Sequence, residues 1–277
     1  MTTTTEAPTD PGLYPNVPEE VYHSDTASLS STAVRLLVKQ GGPAKLQGAE
    51  REHNDDFDLG TAAHTLLLGT GADIEVFDAA SWQIKHAKEG RIAARAGGKV
   101  PLLRKQYDTT RRMVDAALSR PEVAALFPPA PEGVAEMSGY AIDPETWVML
   151  RARFDYLVFG PDKRVKVRDY KTTKNAAPRE FSKSAVDYGY HVQAAHYIRV
   201  LKALGYEVDD FVLLAQEKTA PYLTSLHEFD AEALAAGDRV VTAGIGIYAQ
   251  CCDTGIWPDY GTETNRMSLP SWALGEW

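Results

Sequence analysis

The residues with the clearest chemical potential lie in "VRDYKTTKN", residues 167–175. Asp169 and Lys171 are two residues apart, and in a β-strand this spacing turns both side chains to the same face. If the preceding turn, "GPDK", is centred on Asp162, then Asp155 lies opposite Asp169 on the neighbouring strand. Like charges that face each other destabilise a sheet, so the pair favours a compensating cation. Oxygen ligands of this kind favour Mg²⁺, or Mn²⁺ in its place.

This arrangement is typical of phosphodiester hydrolysis. Asp155 and Asp169 would hold the metal, which lowers the pKa of bound water and neutralises charge that develops on the phosphate. The ammonium of Lys171 would orient the nucleophile or stabilise the transition state. The same register places Arg153 opposite Lys171. The alternative is an acidic hairpin with a solvated face, where such ion pairs contribute little.

The charge of the chain is unevenly distributed. The 277 residues carry a formal net charge of -9, which argues against a protein that coats nucleic acid indiscriminately. Between Gln83 and Arg120, however, ten Lys and Arg stand against three Asp and Glu. Because a local basic surface matters more than the total, this segment is a candidate path for DNA. Its candidate contacts are Arg91, Arg95, Arg104, Lys105, Arg111 and Arg112.

The two cysteines, Cys251 and Cys252, are adjacent. This excludes a disulfide framework and a four-cysteine metal site, and it fits a reducing cytoplasm. The first residues, "MTTTTEAPTDPG", contain neither a basic region nor an apolar run, and no later run is long enough for a membrane span. We therefore expect a cytoplasmic protein in which residues 1–20 form a disordered tail.

Hydrophobic periodicity divides the rest of the chain into a helical part and a mixed part. Helices are predicted in "SLSSTAVRLLVKQGG", in "FDLGTAAHTLLLG" and in much of 83–120, with a break at "AGGKVP". From about residue 134 the period becomes two, which predicts an antiparallel meander of three strands. One long helix over 178–204, two strands and a helix over 231–252 follow. The expected fold is α/β with a mixed central sheet flanked by helices, in one domain over 21–277 with a helical part (21–130) and a catalytic core (131–277).

Four motifs occur in the order that is typical of the PD-(D/E)XK nuclease superfamily. "GTAAH" (60–64) resembles its G-x-x-x-H element, "RARFDYL" its first acidic strand, "VRDYKTT" its second acid and lysine, and "QAAHY" (193–197) its Q-x-x-x-Y helix. The sequence is most similar to the RecB-like members and the RecE-type phage exonucleases. The resemblance covers most of the chain from about Tyr22 and implies a restriction-endonuclease-like core.

The resemblance also implies roles for individual residues. His64 would be a metal ligand, with its second ring nitrogen bonded to another group. Glu136 would be an additional acid near the metal, and Gln193 and Tyr197 would lie on one helical face beside the active site. From the residues alone, a histidine on a Leu-rich helix such as His64 is more often a core residue than a ligand. The corresponding alternatives are a surface glutamate for Glu136 and ordinary packing for Tyr197.

Further candidate contacts with DNA flank these motifs. Thr172, Thr173 and Lys174 follow the catalytic strand and would bind backbone phosphates. Ser30, Ser31 and Arg35 begin a helix that would receive a terminal phosphate, although helix capping alone explains the serines.

The metal-site residues and the motif order predict a Mg²⁺-dependent exodeoxyribonuclease that degrades linear double-stranded DNA. The resemblance to RecE-type exonucleases implies that it acts from 5′ to 3′ and leaves 3′ overhangs for phage-type recombination. The resemblance further implies a ring-shaped homo-oligomer, a single-strand annealing protein as partner, and the cytoplasm of a bacterial host. Two alternatives remain: an endonuclease or single-strand nuclease on the same core, and a DNA-end-binding protein without catalysis. The paired carboxylates argue against the last, because they repel phosphate and pure binding has no use for them.

Overall fold

The computed structural model describes residues 6–48, 55–269 and Ala273. The strands in chain order are β1 (Gly12–Pro15), β2 (Leu29–Ser30), β3 (Ile74–Phe77), β4 (Val100–Leu103), β5 (Gly133–Ile142), β6 (Met149–Phe159), β7 (Arg164–Thr173), β8 (Glu207–Glu217) and β9 (Thr224–His227). The helices are α1 (Glu19–Ser24), α2 (Ser31–Leu37), α3 (Gly42–Gln47), α4 (Asp55–Leu68), α5 (Lys85–Ala96), α6 (Arg104–Leu118), α7 (Pro121–Ala124), α8 (Pro178–Asp187), α9 (Tyr190–Ala203) and α10 (Ala231–Thr254).

The central sheet has seven strands within the described ranges. Its order is β1-β5-β6-β7-β8-β9, and β2 pairs in parallel with β6. The strands β5, β6 and β7 form the predicted antiparallel meander, and β7 then pairs in parallel with β8. The prediction of an α/β fold with a mixed sheet is therefore confirmed.

Helices cover both faces of this sheet. The larger core joins β5 to β8 with α2, α9 and α10, through side chains such as Phe154, Val167 and Leu201. A second core places Tyr170 and Leu214 against α4 and α6. Alternate residues of β7 thus serve different cores, which follows from the period of two in a strand. None of the helices in the described part of the chain is sufficiently long and apolar to cross a membrane.

The helix predicted over 178–204 is in fact two helices. Gly189 adopts a left-handed conformation (φ +65°) between α8 and α9, and a Cβ at this position would come within 2.6 Å of Arg35 Cδ. Glycine is the residue that takes such a conformation without strain, so it ends one helix and begins the next. The hydrophobic pattern is continuous across the break, which is why it predicts a single helix.

The N-terminal region is less helical than predicted. Gly12–Pro15, in the predicted disordered tail, pairs with Met137–Tyr140 as β1, because the edge of β5 offers unpaired backbone groups. The tail prediction is therefore wrong for this segment, whereas residues 1–5 lie outside the described residues. The predicted break at "AGGKVP" contains the start of β4, which pairs with β3 in a separate small sheet.

Candidate active site

The candidate site lies where β6 and β7 separate. The two strands pair from Tyr156↔Arg168 to Phe159↔Val165, which is the predicted register. Asp155 precedes Tyr156 on β6 and Asp169 follows Arg168 on β7, so both lie just beyond the end of this ladder. Beyond this point β6 pairs with β2 and β7 continues along β8, so both carboxylates border an opening in the sheet.

The predicted pairing of Arg153 with Lys171 is not formed. Arg153 pairs instead with Ser138 on β5, and its guanidinium donates to the carbonyl of Val17 at 2.5 Å. The reason is the separation of β6 from β7, since two strands that diverge no longer keep residues opposite one another.

Asp155 is held by two donors. Its Oδ2 lies 3.0 Å from Nε2 of His64 and accepts from the backbone N–H of Tyr170 at 2.8 Å. The other ring nitrogen of His64, Nδ1, lies 2.9 Å from the carbonyl oxygen of Gly60. Gly60 opens the "GTAAH" motif, so the four-residue spacing supplies the partner that the sequence left unidentified.

The charges at this site shift one another. Burial alone would lower the pKa of His64, but the carboxylate of Asp155 raises it to about 9. Burial acts in the opposite direction on Asp155, yet the His64 imidazolium and the Lys171 ammonium hold its pKa below the ordinary value. His64 thus carries a proton shared with Asp155 in the place where a cation would balance the carboxylates.

Asp169 and Lys171 lie on the same side of β7, as predicted. Lys171 Nζ is 2.5 Å from Asp169 Oδ2, and Gln193 Nε2 on α9 donates to Asp169 Oδ1 at 3.2 Å. Burial, which outweighs the Lys171 ammonium, raises the pKa of Asp169 to about 6, and the nearby Asp155 adds to this rise. Burial alone would lower the pKa of Lys171, but the carboxylates of Asp169 and Asp155 raise it.

Glu136 belongs to the same group of charges. The pairing of β5 with β6 skips one position between Ala135↔Tyr156 and Met137↔Phe154, and Glu136 and Asp155 occupy it. Glu136 has a φ of 51°, an uncommon conformation for glutamate that costs on the order of 1–3 kcal/mol. Burial, followed by the charge of Asp155, raises the pKa of its carboxyl to about 7. Strained backbone of this kind is concentrated at functional sites.

Tyr197, the second residue taken from "QAAHY", is buried. Its ring packs edge-on against Phe154 with centroids 5.0 Å apart, and burial raises the pKa of its hydroxyl well above the ordinary value. Of the two residues of this motif, Gln193 contacts Asp169, whereas Tyr197 packs in the larger core.

The side chains fit a divalent cation. No group of three or more His, Cys, Asp or Glu in the described ranges is already gathered in a metal-binding arrangement. The buried carboxylate of Asp169 and the half-buried one of Asp155 are instead balanced by the Lys171 ammonium and the His64 imidazolium. One imidazole and two carboxylates are suitable ligands for Mg²⁺ or Mn²⁺, and a metal that binds them must displace the proton of His64.

The predicted phosphate contacts near α2 have structural partners of their own. Ser30 caps α2, with Oγ accepting from the N–H of Ala33 at 3.3 Å, and Ser31 is buried. The guanidinium of Arg35 donates to the carbonyl of Tyr188 and to Thr32 Oγ1. The structure thus assigns capping to Ser30 and an anchoring contact to Arg35, while a role in DNA binding stays a prediction.

The second group of predicted contacts follows β7. Thr172 and Thr173 are half-buried and Lys174 is exposed. The hydroxyl of Thr173 donates to the carbonyl of Asn175 at 3.3 Å. All three residues continue from Lys171 along the same strand end, so they remain candidates for contact with a phosphate backbone.

The six basic candidates lie on two helices, and two of them are paired with aspartates. Arg91 and Arg95 lie on α5, and Arg95 forms an ion pair with Asp58 at 2.6 Å. Arg104 forms one with Asp78 at 2.8 Å. The other three, all exposed on α6, are Lys105, Arg111 and Arg112. Fewer of these charges are therefore unpaired with acids than the count along the sequence indicates.

Two residues of the site were not anticipated from the sequence. The Tyr170 ring lies edge-on to His64, with centroids 4.9 Å apart, and its hydroxyl donates to Gln216 Oε1 at 2.6 Å. The amide of Gln216 is buried and donates to the Met113 carbonyl of α6 at 2.7 Å. A glutamine within the apolar run "FVLLAQ" is the signal that points to such a contact.

Comparison with known proteins agrees with this geometry. The opening in a mixed sheet and the His, Asp, Asp and Lys set define the class of PD-(D/E)XK nucleases. Residues 38–269 match a family described as "PDDEXK-like domain of unknown function (DUF3799)", and the chain belongs to this family. The prediction of a PD-(D/E)XK nuclease is thereby confirmed.

Two solved structures illustrate the similarity. A "putative exonuclease" from Eubacterium rectale has a TM-score of 0.58 and 11% identity, over 93% of this chain and 98% of that chain. A phage related exonuclease from Haemophilus somnus 129PT has a TM-score of 0.34 and 11% identity, over 83% of this chain and 96% of that one. At this identity the first comparison establishes a shared fold. No curated protein matches the sequence.

Proposed function

We propose that this protein is a Mg²⁺-dependent exodeoxyribonuclease that hydrolyses phosphodiester bonds of linear double-stranded DNA. The observation that carries the proposal is the meeting of His64, Asp155, Asp169 and Lys171 at the opening between β6 and β7. Family membership and exonuclease-like fold support it.

In this proposal His64, Asp155 and Asp169 hold the metal, and Glu136 is a fourth candidate ligand. When bound, Mg²⁺ or Mn²⁺ would lower the pKa of the water that it holds and would neutralise charge that develops on the phosphate. The donor set fits this role because the carboxylates of Asp155 and Asp169 each lie next to a cation that a metal is able to replace.

The chain itself positions the reacting groups. Lys171 stays protonated, because the neighbouring carboxylates raise its pKa, and its Nζ donates hydrogen bonds to a phosphate oxygen or to the attacking water. Gln193 orients Asp169, the N–H of Tyr170 orients Asp155, and the carbonyl of Gly60 orients the ring of His64. The approach of substrate phosphate frees Lys171 from its close contact with Asp169.

The biological setting is proposed from the motif resemblance. The enzyme would act from 5′ to 3′, leave 3′ overhangs for phage-type recombination and work with a single-strand annealing protein in a bacterial cytoplasm. Residues 21–277 would form one domain, and a ring-shaped homo-oligomer would keep the enzyme on its product. Candidate DNA contacts are those named above on α2, α5, α6 and the end of β7.

Duplex DNA of defined topology tests the activity. Linear duplex labelled at either the 5′ or the 3′ end, and covalently closed circles, are incubated with Mg²⁺ and then with excess EDTA. We expect early loss of the 5′ label from linear DNA, intact circles, and no cleavage in EDTA. Cutting of circles would favour an endonuclease, and retention of DNA without cleavage would favour an end-binding protein.

A further inference from the structure

Two tyrosines are stacked at the turn that joins α8 to α9. The rings of Tyr188 and Tyr190 have centroids 5.7 Å apart and planes inclined by 20°. Tyr188 is 61% exposed, whereas Tyr190 is half-buried. Behind Tyr190 lies Phe181, whose ring centroid is 5.9 Å away, so the outer ring is the exposed end of a supported aromatic group.

The backbone of this turn is fixed although the outer ring is exposed. The guanidinium of Arg35 donates to the Tyr188 carbonyl, and the left-handed Gly189 packs closely against the Arg35 side chain. Core packing does not need an exposed tyrosine here, since the buried residues of α8 are Phe181 and Ala185. A rigid turn that presents an uncovered aromatic face is suited to binding a planar group.

The inner tyrosine is in contact with the candidate active site. Lys171 Nζ lies 5.3 Å from the centroid of the Tyr190 ring, and the same Nζ contacts Asp169. The charge of Arg35 also acts on the Tyr190 hydroxyl. The aromatic pair therefore lies between a cation of the reaction centre and a second cation on α2.

We propose that Tyr188 and Tyr190 form a stacking platform for the nucleobase next to the scissile phosphate, so that the end of the cleaved strand is bound unpaired. A phosphate at Lys171 brings its own nucleoside beside the Tyr190 ring, and Tyr188 offers the open face. Stacking on an aromatic side chain tolerates any base, which suits an enzyme that removes nucleotides regardless of sequence. The proposal rests on the proposed function and adds to it that the terminal base pair opens before cleavage.

Binding measured in EDTA tests the platform apart from catalysis. Fluorescence anisotropy gives the Kd of a duplex whose two terminal nucleotides at the 5′ end are intact, and of one in which both are abasic. The proteins are wild type, Tyr188→Ala, Tyr188→Phe and, as a control, Trp147→Ala, which removes another exposed aromatic from the β5–β6 turn. A base stacked on tyrosine is worth about tenfold in affinity.

We expect removal of the bases and Tyr188→Ala each to weaken binding about tenfold, with little further loss when the two are combined. Tyr188→Phe should bind as wild type does, and Trp147→Ala should keep the full response to the abasic end. If the losses of affinity from the abasic end and from Tyr188→Ala multiply when the two are combined, the platform proposal is wrong. An absence of binding to either duplex would also overturn it. A change in sedimentation of Tyr188→Ala without coupling to the bases would overturn it as well and would indicate a contact between copies of the chain.

A cleavage assay separates this inference from the proposed function. A duplex with two mismatched terminal pairs should rescue much of the rate that Tyr188→Ala loses on a fully paired end. If wild type does not degrade linear DNA with Mg²⁺, the proposed function fails while the coupling in EDTA still reports on the platform. If wild type degrades linear DNA and no coupling is found, the platform alone fails.

Discussion

A carboxylate and a basic side chain form an ion pair in two regions of this protein, and the two regions differ in how far the pair is exposed to water. In the opening between β6 and β7, the side chains of Lys171 and Asp169 are 15% and 1% exposed. In the basic segment, those of Arg104 and Asp78 are 49% and 75% exposed. Both pairs have contact distances under 3 Å. Burial, rather than distance, distinguishes them.

This difference decides which region is suited to catalysis. Arg104 does hold the pKa of Asp78 below its ordinary value, but water screens this exposed pair, so it contributes little to stability or to the field at a bound group. The buried charges shift one another's pKa values and remain close to a reacting phosphate with little solvent between them. The charge count predicted the basic segment as a path for DNA, and the structure shows that the less exposed of the two pairs lies instead in the opening.

The largest expected effect comes from the buried acid. Asp169→Ala should abolish cleavage of linear duplex, because one carboxylate and His64 hold a hard divalent ion poorly. The measurement is single-turnover cleavage with Mg²⁺. Asp253→Ala, which removes an exposed aspartate from α10, should cleave as wild type does. Cleavage by Asp169→Ala at a comparable rate would separate this residue from the chemistry.

Removal of the Lys171 ammonium should have a smaller effect. Lys171→Ala should lower the cleavage rate by about a hundredfold or more, because it removes one stabilising group from the transition state and leaves the metal ligands intact. Lys166→Ala on the same strand is the matched control, since Lys166 is exposed. An equal loss in both variants would indicate that the strand, rather than the Lys171 ammonium, is what matters.

The exposed charges of α6 should affect binding instead of chemistry. Charge reversal of Lys105, Arg111 and Arg112 to glutamate should weaken DNA binding and reduce the slope of log K against log salt by about 3. Metal affinity should stay unchanged. The same reversal at Lys166, Lys202 and Arg239, which are exposed elsewhere, controls for net charge. An identical salt slope in both triple variants would mean that α6 is an ordinary solvated face.

The smallest effect is expected at the exposed ion pair. Asp78→Asn should leave both the melting temperature and the cleavage rate within experimental error of wild type, because solvent screens its contact with Arg104. Thermal unfolding and the linear-duplex assay are sufficient to measure this. A marked loss of cleavage would place catalytic chemistry in the basic segment and reverse the comparison.

The sequence predicted the centre of the site because its determinants are local. The turn at Asp162 and the alternation along β7 give the register that leaves Asp155 and Asp169 at the opening. The ordered motifs identified His64 and Gln193, whose contacts with the two aspartates the structure supplies. These inferences need only short-range periodicity and motif order.

Other features depend on contacts between distant parts of the chain. The strand β1 forms because the edge of β5 is open, and nothing within "GLYP" indicates this partner. The basic segment loses part of its charge to Asp58 and Asp78, which lie outside the window in which the charges were counted. The tyrosine platform depends on Arg35, which lies far from Gly189 in sequence. Such contacts become predictable only when the packing of the elements is known.

The central claim is that the opening between β6 and β7 binds a catalytic divalent metal. Calorimetric titration of Mn²⁺ into wild type, Asp169→Ala and Lys171→Ala tests it most directly, together with cleavage of linear duplex by the same preparations. We predict that wild type and Lys171→Ala bind the ion with similar affinity, that Asp169→Ala loses this binding, and that wild type alone cleaves DNA efficiently. Unchanged Mn²⁺ binding in Asp169→Ala, with cleavage near the wild-type rate, would contradict the claim and place the catalytic centre elsewhere.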